Sequence, residues 1–311
     1  MMLPQQQTAT VQVPATTANL GVGFDTFGLA LNLYNTFSFT RATAFSFQTA
    51  SNSPIQLTTI PPQTDCPSSL IFDTLRLFYK TINQQLTPIN VEATVNIPLG
   101  RGLGSSATAV IATLVGINQL EGSPLSTQAL LELAIQLEGH PDNVAPALLG
   151  GFQLCDAQTA TTVEWCEHWQ FLALVPTFQT ETEASRKALP ETYPRSTVVE
   201  ALRNSALFIQ AVQTQNATLL KSVFERDSIH EPFRGQAIPH FKTVRSSLMQ
   251  HNNVLGTVIS GSGPTVLVCY EQATQAEILE LVETVAIPFG LTLLPLTIDL
   301  NGAQIVIRPL G

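Results

Sequence analysis

Within thirty residues the hydrophobic pattern of this chain changes period. Val91, Ala93, Val95 and Ile97 alternate with polar residues, which predicts a strand with one face exposed. From Ala107 to Leu120 there is no proline and a single glycine, and apolar residues recur at helical spacing. Between the two lies Pro98-Leu99-Gly100-Arg101-Gly102-Leu103-Gly104-Ser105-Ser106-Ala107, so three alternating glycines fall where a strand turns into a helix. Unpaired N–H groups and the positive end of the helix dipole point outward at such a junction. Glycine lets the backbone approach a ligand with no Cβ in the way. The stretch predicts a phosphate cradle.

The same reading extends along the chain. Thr8 to about Phe47 is strand-like, broken by Gly and Asn turns, and Gln48–Ser69 is rich in Ser, Thr, Pro and Gln, as in a surface loop. Leu70–Gln85 carries an amphipathic helical pattern, and Ser126 caps a helix that ends before Gly139. Trp169–Val175 is an apolar run that begins a second unit, and Ser196–Glu225 is largely helical. Strands are expected at Val254–Ser260 and Thr265–Tyr270 around Gly261-Ser262-Gly263-Pro264. A helix over Gln272–Val285 and strands near Leu291–Ile298 and Gln304–Ile307 complete the pattern. Helices and strands mixed in both halves give an α+β protein. The boundary falls near 160–172, with an N-terminal unit over 1–168 and a C-terminal unit over 169–311. No internal repeat interrupts this plan.

Composition narrows what such a chain can bind. Its 311 residues can bury a sizeable core, and the hydrophobic share of 44% is ordinary for a globular protein. Only 12% of residues are charged, about half the usual share. The net charge is −9, with a pI near 5.0 and no basic run. Nucleic acid and anionic membrane are therefore not the expected partners, whereas a small anion focused on a few arginines remains open. Cys66, Cys155, Cys166 and Cys269 are far apart, without metal or redox spacing, and read as buried hydrophobes of a reducing compartment. The N-terminal segment lacks a signal-peptide pattern, and no apolar run reaches the ~18–20 residues of a membrane helix. A soluble, cytoplasmic protein is expected.

The cradle is neither a Walker A loop, since no Gly-Lys-Ser/Thr follows, nor a dinucleotide fingerprint, whose glycines are spaced differently. Gly21-Val22-Gly23 fails the latter test as well, with Thr26 in the third glycine's place. A nucleotide here must be balanced by backbone dipoles, a metal and distant arginines.

Three segments together resemble the GHMP small-molecule kinases: Val13–Asp25, the cradle Pro98–Ala107, and Ile259-Ser-Gly-Ser-Gly-Pro-Thr265. Their order and spacing match over nearly the whole chain. Within that superfamily Asn19–Asp25, His140-Pro-Asp-Asn-Val-Ala-Pro146 and Glu231-Pro-Phe-Arg234 are similar to segments of homoserine kinases. The resemblance implies a two-domain GHMP kinase fold, with a ribosomal protein S5 domain 2-like N-terminal domain and a ferredoxin-like C-terminal one. It also implies transfer of the ATP γ-phosphoryl group to the side-chain hydroxyl of L-homoserine, on the way to threonine, with Mg²⁺ as cofactor. A homodimer is a family expectation only. Mevalonate or sugar kinases of the same superfamily act on acceptors without an α-ammonium group. A non-catalytic nucleotide-binding regulator on this fold would be free to lose Ser106 or Glu132.

The resemblance implies roles for single residues. Ser106, otherwise a helix cap, becomes a magnesium ligand together with the carboxylate of Glu132, and a hard cation bridging phosphates needs only one or two such oxygens. Asn19 and Asp25, otherwise turn residues, would meet the ammonium group. Arg186 and Arg234 would take the carboxylate, helped by Thr182 and by Gly261 of the glycine turn. Asn143 and His140 would orient the acceptor hydroxyl. Asn cannot take a proton. Asp142 is expected to point away from Asn143 on an extended segment, ahead of a helix-breaking Pro146. Arg101 is expected to face solvent rather than phosphate, and His168, His230, His240 and His251, without ligand spacing, are given no chemistry. These expectations amount to catalysis by alignment and charge neutralisation without a strong base.

Overall fold

The computed structural model describes residues 7–56 and 70–309. Alternation at the N-terminus becomes two long strands, β1 (Gln7–Ala18) and β2 (Phe27–Arg41), with Ala9, Val11, Val13 and Ala15 buried in one row. There follow β3 (Ser46–Thr49), α1 (Leu70–Thr81), β4 (Ile89–Thr94), α2 (Ser105–Leu120), α3 (Thr127–Glu138), α4 (Pro141–Leu149), β5 (Phe152–Cys155) and β6 (Ala160–Val163). The second half supplies β7 (Trp169–Val175), α5 (Thr182–Lys187), α6 (Arg195–Gln213), α7 (Ala217–Val223), α8 (Glu231–Arg234) and α9 (Phe241–Leu248). It ends with β8 (Val254–Ile259), β9 (Val266–Glu271), α10 (Gln275–Ala286), β10 (Thr292–Leu296) and β11 (Gln304–Pro309).

Two sheets result. The first runs β11-β1-β2-β4-β3, with β5 paired to β2 and β6 to β5, and the second runs β10-β7-β9-β8. Helix α2 is buried on nearly every side, as an all-apolar helix must be, because it lies between the first sheet and helices α1 and α3. In the second sheet both faces are covered. Phe171 and Ala173 of β7 pack with Phe208, Val212 and Phe224, while Leu172 and Leu174 pack with Val244, Leu248 and Ile278. The cluster around Phe171 continues into Leu20, Phe27, Leu29 and Leu103 of the first half, so one apolar core joins the two sheets. Among the described residues no helix is long and apolar enough to cross a membrane, and Cys155, Cys166 and Cys269 are free and buried.

Several expectations need correction. The C-terminal unit does not run unbroken to 311, because Gln304–Pro309 pairs antiparallel with β1 in the first sheet. The strand through Ile97 stops at Thr94, since beyond it side chains replace the ladder: the Val95 N–H donates to Ser53 Oγ, and the Asn96 and Ile97 N–H groups donate to Asn35 Oδ1. Residues 48 and 49 of the expected loop belong to β3, and its part from 57 to 69 lies outside the described residues. Cys66 and the segment 1–6 lie outside them as well. The stretch from Pro141 is helical, not extended: proline suits a first helical turn, and Pro146 sits inside α4. Having no N–H, Pro146 leaves the Asp142 carbonyl without its helical donor, and that carbonyl packs where a Cβ on Gly28 would come to 1.9 Å.

Candidate active site

The cradle's conformation follows from its glycines. Gly100, Gly102 and Gly104 have φ of 60°, 74° and 68°, the left-handed region that other residues avoid. Their carbonyls and those between them are taken by protein donors: Thr180 N–H on Gly100 O, Thr265 N–H on Arg101 O, Ser260 Oγ on Gly102 O and Thr16 N–H on Leu103 O. With four successive carbonyls turned into protein, and the first-turn N–H groups of α2 lacking helical acceptors, the loop presents donors to an anion. Space is as tight as chemistry: a Cβ on Gly102 would lie 2.2 Å from Ser260 O.

Two cavities meet at this loop. One, of about 120 Å³, is lined by Gly100–Ala107 on one side and by residues of both halves of the chain on the other. The second, of about 290 Å³, shares Gly100, Ser105 and Ser106 and is walled by Phe37, Phe47, Leu70, Ile71, Val95 and Leu99. This apolar cleft was not foreseen. Its walls come from β2, β3, α1 and the segment that follows β4, and no local pattern joins them. Pro98 lines neither cavity.

Ser106 is not the cap of α2, since Gly104 occupies that position. Ser106 Oγ instead donates to Glu138 Oε1 at 2.5 Å. Glu132, the expected metal carboxylate, is exposed, accepts a hydrogen bond from Gln128 Nε2, and does not line the cavity. The carboxylate that faces Ser106 is Glu138, at the last position of α3. It stands at the negative end of a helix dipole with no basic residue in that turn, a locally unfavourable place for an acid. That mismatch is the signal that could have found it.

At the start of α4, His140 Nδ1 and Asp142 Oδ1 are 2.6 Å apart, and Asn143 Nδ2 donates to the same oxygen at 3.4 Å. Asp142 therefore shares the cavity with Asn143 rather than pointing away, because successive residues of a helical turn lie about 100° apart. Burial disfavours the charged form of His140, but the hydrogen bond and charge of Asp142 outweigh it and raise the imidazole above its ordinary value.

A second wall of the cavity carries Asn19, Asp25, Arg186 and Arg234. Asn19, Leu20 and Asp25 all have positive φ, a strained arrangement held by the buried Leu20 and by Asn19, whose Oδ1 accepts the Asp25 N–H at 3.0 Å. Asn19 Nδ2 donates to Gly261 O at 2.9 Å, so this residue shapes the turn more than it offers free groups. Arg186 of α5 donates both Nη atoms to the Asp25 carboxylate, at 2.9 and 2.7 Å. The side chains of the pair are 37% and 35% exposed, so the attraction is screened and worth at most about 1 kcal/mol, within what a ligand can displace. Arg234 is buried, donates to Gly261 O at 3.0 Å, and lies 5.2 Å from the Phe24 ring centroid. Burial, and then the Arg186 charge, pull its guanidinium below the ordinary value, so this corner favours an anion. Thr182 and Ser262 hydroxyls face each other at 3.4 Å along the same wall.

Arg101 does not face solvent freely. Its Nε donates to Pro176 O at 2.8 Å, one Nη to Leu99 O at 2.9 Å and the other to Thr177 O. His230, given no role from sequence, is fully buried against Phe24 and bonds Gly21 O at 2.9 Å. Glu231 accepts the Ile259 N–H and an Arg245 Nη, each at 2.7 Å, while Glu225 accepts the Thr257 N–H at 2.6 Å. These carboxylates take the outward N–H groups of edge strand β8 and tie α8, with its Arg234, to the glycine turn. Burial pushes Glu231 up to about 8, against the pull of Arg245.

Known proteins resemble this chain over most of its length. Residues 69–151 match the GHMP kinases N terminal domain and residues 208–284 the GHMP kinases C terminal domain. The chain is 37% identical over 291 residues to a homoserine kinase from Synechocystis sp., covering 88% of this chain and 90% of that one. It is 40% identical over 270 residues to one from Nostoc punctiforme, covering 85% and 86%. Among solved structures, homoserine kinase from Cytophaga hutchinsonii superposes with a TM-score of 0.83 at 25% identity, covering 98% of this chain and 99% of that one. A mevalonate diphosphate decarboxylase from Enterococcus faecalis, at 15% identity and a TM-score of 0.70 over 97% and 100% of the chains, shares the fold.

Proposed function

The chain belongs to the homoserine kinase family of GHMP kinases, and on that premise we propose that it transfers the γ-phosphoryl group of ATP to the side-chain hydroxyl of L-homoserine, giving O-phospho-L-homoserine and ADP. One observation carries the reading: a single cavity has a glycine anion cradle on one side and, on the other, a carboxylate and two guanidiniums able to receive a zwitterion. Mevalonate and sugars offer no ammonium group to the Asp25 carboxylate.

In this reading the triphosphate lies along Gly100–Ser106 and its base enters the apolar cleft beside Leu99 and Phe47. Arg186 and Arg234 take the acceptor's carboxylate and Asp25 its ammonium group. Both substrates are then fixed relative to each other, which removes much of the entropic barrier. Asn143, whose amide is held by Thr16 and Asp142, orients the hydroxyl together with His140. A loose phosphoryl transition state asks little of the nucleophile, so no strong base is required.

The oxygens of Ser106 and Glu138 suit a hard divalent cation that takes its other ligands from phosphates and water. Mg²⁺ held there would neutralise charge on the transferring phosphoryl group. Buried free cysteines support a cytoplasmic setting. A homodimer rests on family likeness alone.

The test is an ADP-release assay on purified protein with L-homoserine, L-threonine, mevalonate and galactose as acceptors. Turnover with homoserine well above the others is expected. Turnover with mevalonate or galactose and none with homoserine overturns the assignment of substrate.

A further inference from the structure

Arg101 lies in the middle of the cradle, yet its guanidinium is occupied by three backbone carbonyls. One belongs to the cradle, Leu99 O, and two belong to the segment leaving β7, Pro176 O and Thr177 O. Two further contacts join the same pieces. The Thr180 N–H donates to Gly100 O at 3.1 Å, and a Cβ on Gly100 would stand 3.3 Å from the Gln179 side chain. Residues 176–180 are thus fastened to Gly100 and Arg101 at both ends. Only four residues separate Thr177 from Thr182, where α5 begins, and α5 carries Ser185 and Arg186. Ser185 Oγ donates to Ser262 O, and Arg186 reaches Asp25. A short, tied segment therefore runs from the nucleotide cradle to the arginine of the amino-acid end.

We propose that Arg101 is a positioning residue that couples the two substrate sites: a triphosphate that orders the cradle also fixes residues 176–180 and, through them, Arg186. The proposal rests on the kinase reading above and adds to it a link that substrate contacts alone do not supply. The fork geometry matters. Arginine presents several N–H donors in one plane and can serve three carbonyls at once, whereas the single ammonium of lysine cannot span them all. Since all three acceptors are carbonyls of this chain, Arg101 acts through the backbone and not on the phosphates. Coupling of this kind is reciprocal: whatever factor the nucleotide adds to amino-acid affinity, the amino acid adds to nucleotide affinity.

The test is calorimetric titration of the wild type, Arg101→Ala and Arg101→Lys with L-homoserine and with β,γ-methylene ATP plus MgCl₂, each alone and in the presence of the other. In the wild type each ligand is expected to tighten the other by at least about five-fold. The factor should fall to about one in Arg101→Ala and lie between in Arg101→Lys. A factor unchanged in Arg101→Ala, with only nucleotide affinity lowered, would mean a phosphate contact and overturns the proposal. So does wild-type protein that binds the two ligands independently. If Arg101→Ala does not fold, Arg101→Lys decides: full wild-type coupling there overturns the argument, and reduced coupling supports it. Wild-type protein that takes the nucleotide but not homoserine overturns the choice of substrate instead, and is seen before any variant is made.

Discussion

Thr16 on β1 donates its hydroxyl to Asn143 Oδ1 on α4 at 2.8 Å, across 127 positions of sequence. The same residue donates its N–H to Leu103 O of the cradle. One threonine thus fixes both the glycine cradle and the amide of Asn143 proposed to orient the acceptor. Thr16→Val keeps the volume and removes the hydroxyl donor. Turnover should fall about ten-fold, the worth of roughly one hydrogen bond in the transition state, with little change in nucleotide KM. Steady-state kinetics check this, and unchanged turnover would show that Asn143 needs no such support.

Gly104 is the neighbour of that bond. Its φ of 68° is costly for any other residue, and a Cβ there would lie 1.9 Å from Thr16 Oγ1. Gly104→Ala should therefore lose about 1–2 kcal/mol of stability from the backbone alone. It should also lose more turnover than Thr16→Val, because it displaces the hydroxyl and distorts the cradle together. Urea unfolding and kinetics on the same preparation separate the two effects.

Glu138 and Glu132 lie on one helix and have opposite expected phenotypes. Glu138→Gln removes the carboxylate beside Ser106 and should lower turnover at least about 100-fold while raising the Mg²⁺ concentration needed. Glu132→Gln, exposed and bonded only to Gln128 among the described contacts, should stay within about two-fold. A Mg²⁺ titration of both variants makes the comparison, and equal losses would remove Glu138 from its role.

Asp25→Asn leaves a hydrogen-bonding group in place but takes away the charge opposite an ammonium. The kcat/KM for L-homoserine should drop about 100-fold, while that for 4-hydroxybutyrate, which has no ammonium, should change far less. Competition between the two acceptors is the measurement. Equal losses for both would mean that Asp25 only holds Arg186.

Glu231 links pH to stability. Its folded value, about 8, lies above the ordinary carboxylate range, so between about pH 4.5 and 8 the folded chain keeps a proton that the unfolded chain has released. Its contribution is complete below that window and is lost as pH rises through it. His230 works at the acid end with the opposite sign, since burial depresses it and acidification favours the unfolded chain. Glu231→Gln leaves His230 in place, and should flatten the decline seen in urea midpoints at about pH 5, 7 and 9. Parallel profiles for the two proteins would count against the proton assigned to Glu231.

What could be read from sequence was what is local. Glycine spacing gives away the cradle, because other residues adopt those φ values only under strain, and Ser126 and Gly139 mark the ends of α3 by ordinary capping: Ser126 accepts the Ala129 N–H, and Gly139 has φ of 81°. Asp25, Arg186 and Arg234 were found through motif likeness, and the fold brings them together around one cavity. What escaped was set by tertiary packing. Glu138 meets Ser106 only because α3 lies against α2, and the helical register of Asp142 depends on α4 starting at Pro141. Arg101 could be read only once its carbonyl partners, 75 and 76 positions away, had been brought to it.

The last strand has a consequence for how the polypeptide comes into being. Because β11 completes the first sheet beside β1, the half that carries the glycine cradle stays unfinished until translation has passed residue 309. A fragment cut at residue 168 would leave a long row of β1 amide and carbonyl groups bare, an invitation to self-association. The two halves are consecutive as sequence but not separable as folds, because a strand that follows the second sheet closes the first.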